Sequence, residues 1–368
     1  MKILVCGAGV AGLATTVFLQ RAGHEVTLLE IAAEVRTGGG PVDVRGDALE
    51  FVRELGLLDE IKANEMYMTA ETEFVDDDGA KIAGLPAQLA MDSGEDIEIG
   101  RTKLLPILVR ALNVQTDLRF STSIANLDDL GDRVHVALTD GTEGDYDLVV
   151  GADGVHSALR RMVFGPEFGY AHFLGLYVGF APIGPAAPAG TASAIHNSPK
   201  KMLGCTQAGD IELCVLMFRS PRLRFDSRDS AAIKSILLET YGHDVWRTQE
   251  LISRAVASPG LYFDECTQIR MDSWRRGRVV LVGDAAHCAT PLSGRGVSLG
   301  ISAGRFLAMG LSEFPDDLDA ALARHDELQR PYVDAAQASV GQSTAMLVPP
   351  TEEAINERNA QIRQLDNA

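Results

Sequence analysis

The first thirty residues constrain the fold more than any other stretch of this chain. Residues 2–6, KILVC, form a short apolar strand candidate, and Gly7-Ala8-Gly9-Val10-Ala11-Gly12 follows without a spacer. The pattern then predicts a helix over 11–22, a cap at Gly23 and a second strand over 24–30. In such a unit the first glycine permits a tight turn, the second lets backbone approach a pyrophosphate, and the third packs the helix on the sheet. The helix then presents free amides to an anion. Glu30 ends the second strand, where a carboxylate accepts hydrogen bonds from ribose hydroxyls. Three glycines alone are a weak signal, but strand, glycines, helix, strand and acid in register specify a dinucleotide-binding unit. The unit does not by itself separate FAD from NAD.

Beyond it, residues 34–46 are a glycine-rich loop, EVRTGGGPVDVRG, and residues 47–66 read as helical. Residues 76–79 read as a hairpin turn between strands, and a helix starts at Arg101. Short strands fill 117–147, and the apolar run 146–150 leads into Gly151-Ala-Asp153-Gly154. Over 170–270 helical periodicity fades. Strand-like runs at 174–181, 203–206 and 211–218 suggest an antiparallel sheet with one helix near 228–241. A strand over 278–282 then ends at Gly283-Asp284, a helix follows from about 296, and the tail is helical and polar. The expected fold is α/β, a Rossmann-like nucleotide domain made of 1–70, 100–170 and 270–315. Residues 71–99 and 171–269 form an inserted α+β substrate domain with an antiparallel sheet, and 316–368 a C-terminal helical segment.

Charge narrows the partners. The net charge is −18, which opposes binding to nucleic acid or to an anionic membrane surface. No apolar run approaches the ~20 residues that span a bilayer. Five cysteines without C-x-x-C spacing and scattered histidines disfavour a disulfide framework or a metal site. A cytoplasmic protein, monomeric or weakly dimeric, is the expectation.

Two further motifs carry a family resemblance. Gly151-Ala-Asp153-Gly154-Val-His-Ser157 resembles the "DG" motif, and Gly283-Asp284-Ala-Ala-His287-Cys288-Ala-Thr-Pro291-Leu-Ser-Gly294-Arg-Gly296 the "GD" motif, of flavoprotein monooxygenases. With the N-terminal fingerprint, they make the chain similar over roughly residues 1–340 to the single-component, FAD-dependent aromatic hydroxylases typified by p-hydroxybenzoate hydroxylase. The loop Arg36-Thr-Gly-Gly-Gly-Pro-Val-Asp43-Val-Arg45-Gly46 resembles that of tetracycline-inactivating and polyketide-modifying members.

The resemblance implies a glutathione-reductase-type FAD domain and noncovalent FAD, reduced transiently by NADPH or NADH. It implies oxygen transfer from O₂ to an aromatic or polycyclic small molecule, polyketide- or antibiotic-like, through a flavin C4a-hydroperoxide. Cofactor contacts are expected at Gly7, Gly9, Val10, Ala11, Gly12, Glu30, Arg36, Arg45, Arg101, Asp153, Gly283, Asp284, Pro291, Gly294, Gly296 and Val297. No protein acid or base is obligatory, because the flavin carries the chemistry. Arg45 and His287 are expected as neighbours of the cofactor, and His287 and Cys288 as packing residues. Met91, Phe173, Tyr177, Phe180, His196, Met202, Met217, Phe218 and Phe225 are candidates for the substrate wall, although such side chains equally build a sheet core. The competing readings are a reductase or oxidase on the same scaffold and a non-catalytic protein that sequesters flavin or ligand.

Overall fold

The computed structural model describes residues 1–35, 40–66, 72–85, 95–186, 193–226, 229–242 and 244–366. Six strands form a nucleotide-type sheet in the order Arg275–Arg276, Val279–Leu281, Leu148–Gly151, Lys2–Cys6, Glu25–Leu29, Asp117–Arg119. All pairs are parallel except at the Arg275–Arg276 edge. The first strand is apolar throughout because it is covered on both faces. Ile3 and Val5 enter a core shared with the helices Val10–Arg21, Arg101–Arg110 and Gly296–Glu313. Leu4 and Cys6 enter a core shared with the antiparallel strands Ile124–Asp129, Val134–Leu138 and Glu143–Tyr146, and with Trp274.

The helices Val10–Arg21 and Gly296–Glu313 cross backbone to backbone. A β-carbon at Gly304 would lie 2.7 Å from Thr15 Cα, and one at Gly300 would lie 3.1 Å from Ala11 Cβ. The absence of side chains at these two positions sets how closely the helix N-termini approach.

A second sheet has seven strands, ordered Tyr262–Ile269, Ala171–Pro185, Ile211–Arg219, Lys201–Ala208, Ser193–Ser198, Thr72–Val75, Lys81–Leu85. Its pairs are antiparallel except Ser193–Ser198 with Thr72–Val75. Period-two alternation gives it two apolar faces. One packs under the helices Ser230–Tyr241 and Thr248–Ala257. The other carries Leu176, Val178, Met202 and Met217 toward Leu292, Val340 and Val348. The tail forms the helices Leu318–Leu347 and Glu352–Asp366, and no described helix is long and apolar enough to cross a membrane.

The helix expected over 11–22 spans Val10–Arg21, and the hairpin around residues 76–79 joins Thr72–Val75 to Lys81–Leu85. Three details differ from the sequence expectation. The helical region 47–66 is two helices, Asp47–Glu54 and Leu58–Ala63, separated where Gly56 takes a φ of +68°. Thr248–Ala257 is a second helix on the antiparallel sheet, burying Leu251, Ile252 and Ala255. The short helix Asp284–His287 directly follows Gly283.

Candidate active site

The glycines at the head of the nucleotide sheet are of two kinds. Gly7 has a φ of +103°, and a β-carbon there would sit 2.5 Å from the Ala152 carbonyl oxygen. A β-carbon on Gly12 would sit 1.8 Å from the Gly7 carbonyl oxygen. Protein packing demands both glycines. Gly9 and Gly296 instead face open space, with no protein atom within 4 Å of a built β-carbon. Each lies at the N-terminus of a long helix, where amides lack intrahelical partners. Open space beside two such ends is a cradle for an anion.

Short contacts bring the three motifs together. The Gly7 turn touches Asp153, whose Cα is 3.1 Å from the built β-carbon. A β-carbon on Gly283 would lie 2.6 Å from Ala11 Cβ. The Arg45 guanidinium lies 3.4 Å from the corresponding point on Gly294. Glu30 closes the turn from below: Ala8 N–H donates to its Oε2 at 2.9 Å and Ala32 N–H to its Oε1 at 2.8 Å. Each carboxylate oxygen has a second lone pair for a ligand hydroxyl.

Asp284 has an exposed side chain, yet protein surrounds it closely, as in an open cleft. Burial pushes its carboxyl above the usual range, while the Cys288 thiol and Arg101 hold it down. Pro291 and Gly296 are exposed along the same loop, and Val297 is half-buried behind them. Thr290, just before Pro291, has a φ of +75°, a strained conformation for a β-branched residue.

Buried polar atoms without partners mark the same region. They include Arg45 Nε, Arg101 Nε, Asp153 Oδ1 and Thr290 Oγ1. Asp153 uses its other oxygen to accept from Leu159 N–H at 3.0 Å. Leaving such a group unsatisfied costs about 1–3 kcal/mol, so these four, two of them on the DG and GD motifs, point to a polar ligand. A dinucleotide with a diphosphate, ribose and ribityl hydroxyls fits this donor and acceptor set.

Arg45 also pairs with Asp43 at 2.8 Å, and its backbone N–H donates to Ser298 Oγ at 2.9 Å. Burial pushes the Asp43 carboxyl up. Opposite it on the ladder Pro41–Val44 with Ile97–Gly100 stands Glu98, pushed up to about 7 by burial and then by Asp43. A cavity of about 290 Å³ beside them is lined by Arg45, Gly46, Asp47, Arg295, Ser298 and Tyr332. Of this group only Arg45 is among the expected contacts. The Asp43-x-Arg45 spacing at the end of the strand Pro41–Val44, which lets the two side chains meet on one face, is the sequence signal for Asp43.

The structure separates the remaining candidates. Arg36 and Met91 lie outside the described residues. Phe180 packs on the face that meets Leu292 and touches Gly40, its Cδ1 3.4 Å from a built β-carbon there. Met202 and Met217 share that face. Phe173, Tyr177, Phe218 and Phe225 do not: they face the two covering helices, with Tyr177 stacked between Phe218 and Phe263 at 5.3 and 5.6 Å. His196 is also on the helix side, bonded to Asp77 at 2.9 Å and stacked on Trp246. Strand alternation puts Phe173, Tyr177, His196 and Phe218 on this face, and Phe225, in the loop after Ile211–Arg219, packs against it, so all five lie on the helix side and not toward Leu292. His287 is 1% exposed, packed edge-on against Trp274 at 4.9 Å, and burial pushes its imidazole down to about 3. Burial likewise pushes the Cys288 thiol well up.

Comparison with known proteins agrees with this geometry. A family model described as "FAD binding domain" matches residues 1–327. A flavin-dependent monooxygenase of Legionella longbeachae is 35% identical over 379 residues, covering 100% of this chain and 96% of its own. The crystal structure of the tetracycline destructase Tet(51) superimposes with a TM-score of 0.84 at 30% identity, covering 99% of this chain and 95% of that one. Klebsiella pneumoniae HpxO, solved with FAD and uric acid, shares the fold at a TM-score of 0.80 and 20% identity, covering 99% and 93% of the two chains. Three motifs converging on one polar site, under a family match that spans most of the chain, place it in the FAD binding domain family as a class A, FAD-dependent monooxygenase.

Proposed function

We propose that the enzyme hydroxylates an aromatic or polycyclic small molecule, using O₂ and electrons from NADPH or NADH. The observation that carries this reading is the apolar face of the seven-stranded sheet. Leu176, Val178, Met202 and Met217 pack in one cluster with Leu292, which lies in the loop between Pro291 and Gly294. Phe180 borders the cluster and reaches the Gly40 loop. A flat apolar substrate suits such a surface beside the loop that carries the GD motif. The 30% identity to a tetracycline destructase supports a polycyclic substrate class.

FAD, when bound, supplies the oxygen activation. The chain's own groups bind, orient and exclude water. In this reading the amides at Gly9 and Gly296 receive the diphosphate, and Glu30 receives the adenosine ribose. Asp284 and Arg101 receive the ribityl region, while Arg45 holds the turn at Gly294. The nucleotide sheet with its helices is the FAD domain, and the seven-stranded sheet is the substrate domain. His287 is enclosed and held neutral, and this reading gives it a packing role against Trp274.

The test is turnover of the FAD-loaded enzyme with NADPH or NADH against tetracyclines and a panel of phenols and polycyclic polyketides. A product heavier by one oxygen atom, with substrate-stimulated consumption of the pyridine nucleotide, is the expected result. Consumption that no compound stimulates, with peroxide as the sole product, would point instead to an oxidase or reductase.

A further inference from the structure

Cys205 and Cys214 stand directly opposite each other on the antiparallel strands Lys201–Ala208 and Ile211–Arg219. Opposed residues in such a ladder have Cα atoms about 4.5–5.5 Å apart. Disulfides accept about 4.4–6.8 Å. Both side chains enter the same core cluster, beside the opposed pair Leu203 and Leu216, so they project from one face of the sheet. All five cysteines are free, and among the registers of the described residues this one matches cysteine with cysteine.

A cation completes the group. Arg247, at the N-terminal end of the Thr248–Ala257 helix, donates from Nη1 to Cys205 Sγ at 3.5 Å. Its side chain is 40% exposed while Cys205 keeps 9% and Cys214 none. Solvent therefore reaches the pair along Arg247, and reaches Cys205 first.

We propose that Cys205 and Cys214 are a peroxide-sensitive dithiol that closes to a disulfide, with Arg247 stabilising the reacting sulfur of Cys205. The oxidant is hydrogen peroxide, the product a flavin enzyme releases when reduced cofactor meets O₂ without substrate. The Cys205 sulfur attacks one peroxide oxygen and the O–O bond breaks. Cys205 becomes a sulfenic acid, and the other oxygen leaves as water with the thiol proton. The Cys214 sulfur then attacks the Cys205 sulfur and the S–O bond breaks. A second water leaves with the Cys214 proton, and the pair has lost two electrons and two hydrogens to one peroxide.

Burial pushes both thiols up, Cys214 to about 12, and Arg247 opposes the shift at both, next after burial itself at Cys205. Its contact with Arg247 and its residual exposure make Cys205 the attacking sulfur, and the fully buried Cys214 the resolving one. The other charges facing the pair are Glu212, Glu250 and Arg254. Glu212 and Glu250 are each paired with Arg254 and with Arg247. Bridging therefore accelerates as pH rises. The bridge would tie the two strands that also carry the opposed pair Met202 and Met217, three residues along the same ladder.

The experiment treats FAD-loaded enzyme with graded hydrogen peroxide at pH 8, alkylates free thiols and maps peptides without reduction. The expected product links the Cys205 and Cys214 peptides, is lighter by two hydrogens and disappears with dithiothreitol, while Cys266 and Cys288 stay alkylatable after denaturation. Cys214→Ser should leave a sulfenic acid on Cys205 that dimedone traps. Arg247→Gln should slow bridging about tenfold, the effect of about one unit in thiol pKa, and Arg247→Lys should restore most of the rate. Sulfinic acid on Cys205 with Cys214 still a free thiol would overturn the pairing, as would five free thiols after exposure. A bridging rate unchanged in Arg247→Gln would overturn the role of the arginine.

Discussion

Replacing Gly9 by alanine tests the phosphate cradle without disturbing the protein. Gly9 has φ −75° and ψ −176°, an extended backbone that any residue adopts. Nothing lies within 4 Å of the new methyl group. The apo protein should therefore fold normally, and the less flexible unfolded chain should add about 0.4–1 kcal/mol of stability. The cost falls on the ligand. If a phosphate oxygen occupies that space, the methyl group holds it away from the helix amides. Losing one hydrogen bond to a charged group removes about 1.5–3 kcal/mol, or about 10- to 150-fold in Kd. Quenching of flavin fluorescence by apo protein measures the Kd, and thermal unfolding of the same apo sample measures the fold. Gly12→Ala is the contrast, because its methyl group would sit 1.8 Å from the Gly7 carbonyl oxygen and must open the turn itself. A Gly9→Ala protein that binds FAD as tightly as the parent would refute the placement of the diphosphate. One whose apo form melts several degrees lower would refute the claim that the space is empty of protein.

Other outcomes follow from the same physical reading. His287 is held neutral, its pKa near 3 against 6.5 for a free histidine. Below pH 6.5 the unfolded chain takes up a proton that the folded chain refuses, so stability falls as pH drops toward 3. His287→Leu should flatten the melting temperature between pH 7 and pH 5 and still hydroxylate. Complete loss of turnover with FAD bound would restore a catalytic role. Glu98 has the opposite sign, with a folded pKa of about 7 against 4.5. Between those values the folded chain keeps a proton that the unfolded chain has lost, so stability falls as pH rises. Glu98→Gln should remove that fall, and identical urea midpoints for parent and variant from pH 5 to pH 8 would contradict it. Phe218→Ala should cost about 3–5 kcal/mol of stability and leave substrate KM unchanged. Met217→Leu should cost less than about 1.5 kcal/mol and alter substrate preference. A KM shift with Phe218 and none with Met217 would reverse the two faces assigned to the sheet.

What was legible in the sequence is what chemistry writes locally. Gly7, Gly9 and Gly12 stand within six residues, and Gly283 and Asp284 follow a strand directly, so the motif and its geometry are nearly the same object. The substrate face is written differently, because it depends on register. Strand periodicity says that alternate residues part company, but not which set meets the flavin-side loop. Phe218 and Met217 are consecutive, and both suit an apolar wall by composition. Phe218 turns to the helices Ser230–Tyr241 and Thr248–Ala257, while Met217 turns to Leu292. The Thr248–Ala257 helix, absent from the sequence expectation, is what makes the first of those faces a core. Glu98 was missed for the same reason. Its raised pKa needs Asp43 opposite it, and that pairing exists only once two strands about fifty residues apart are laid side by side. The cofactor site is thus specified by short segments that carry their own geometry. The surface that selects a substrate is specified by pairings between distant strands, and there a shift of one residue would exchange Met217 for Phe218.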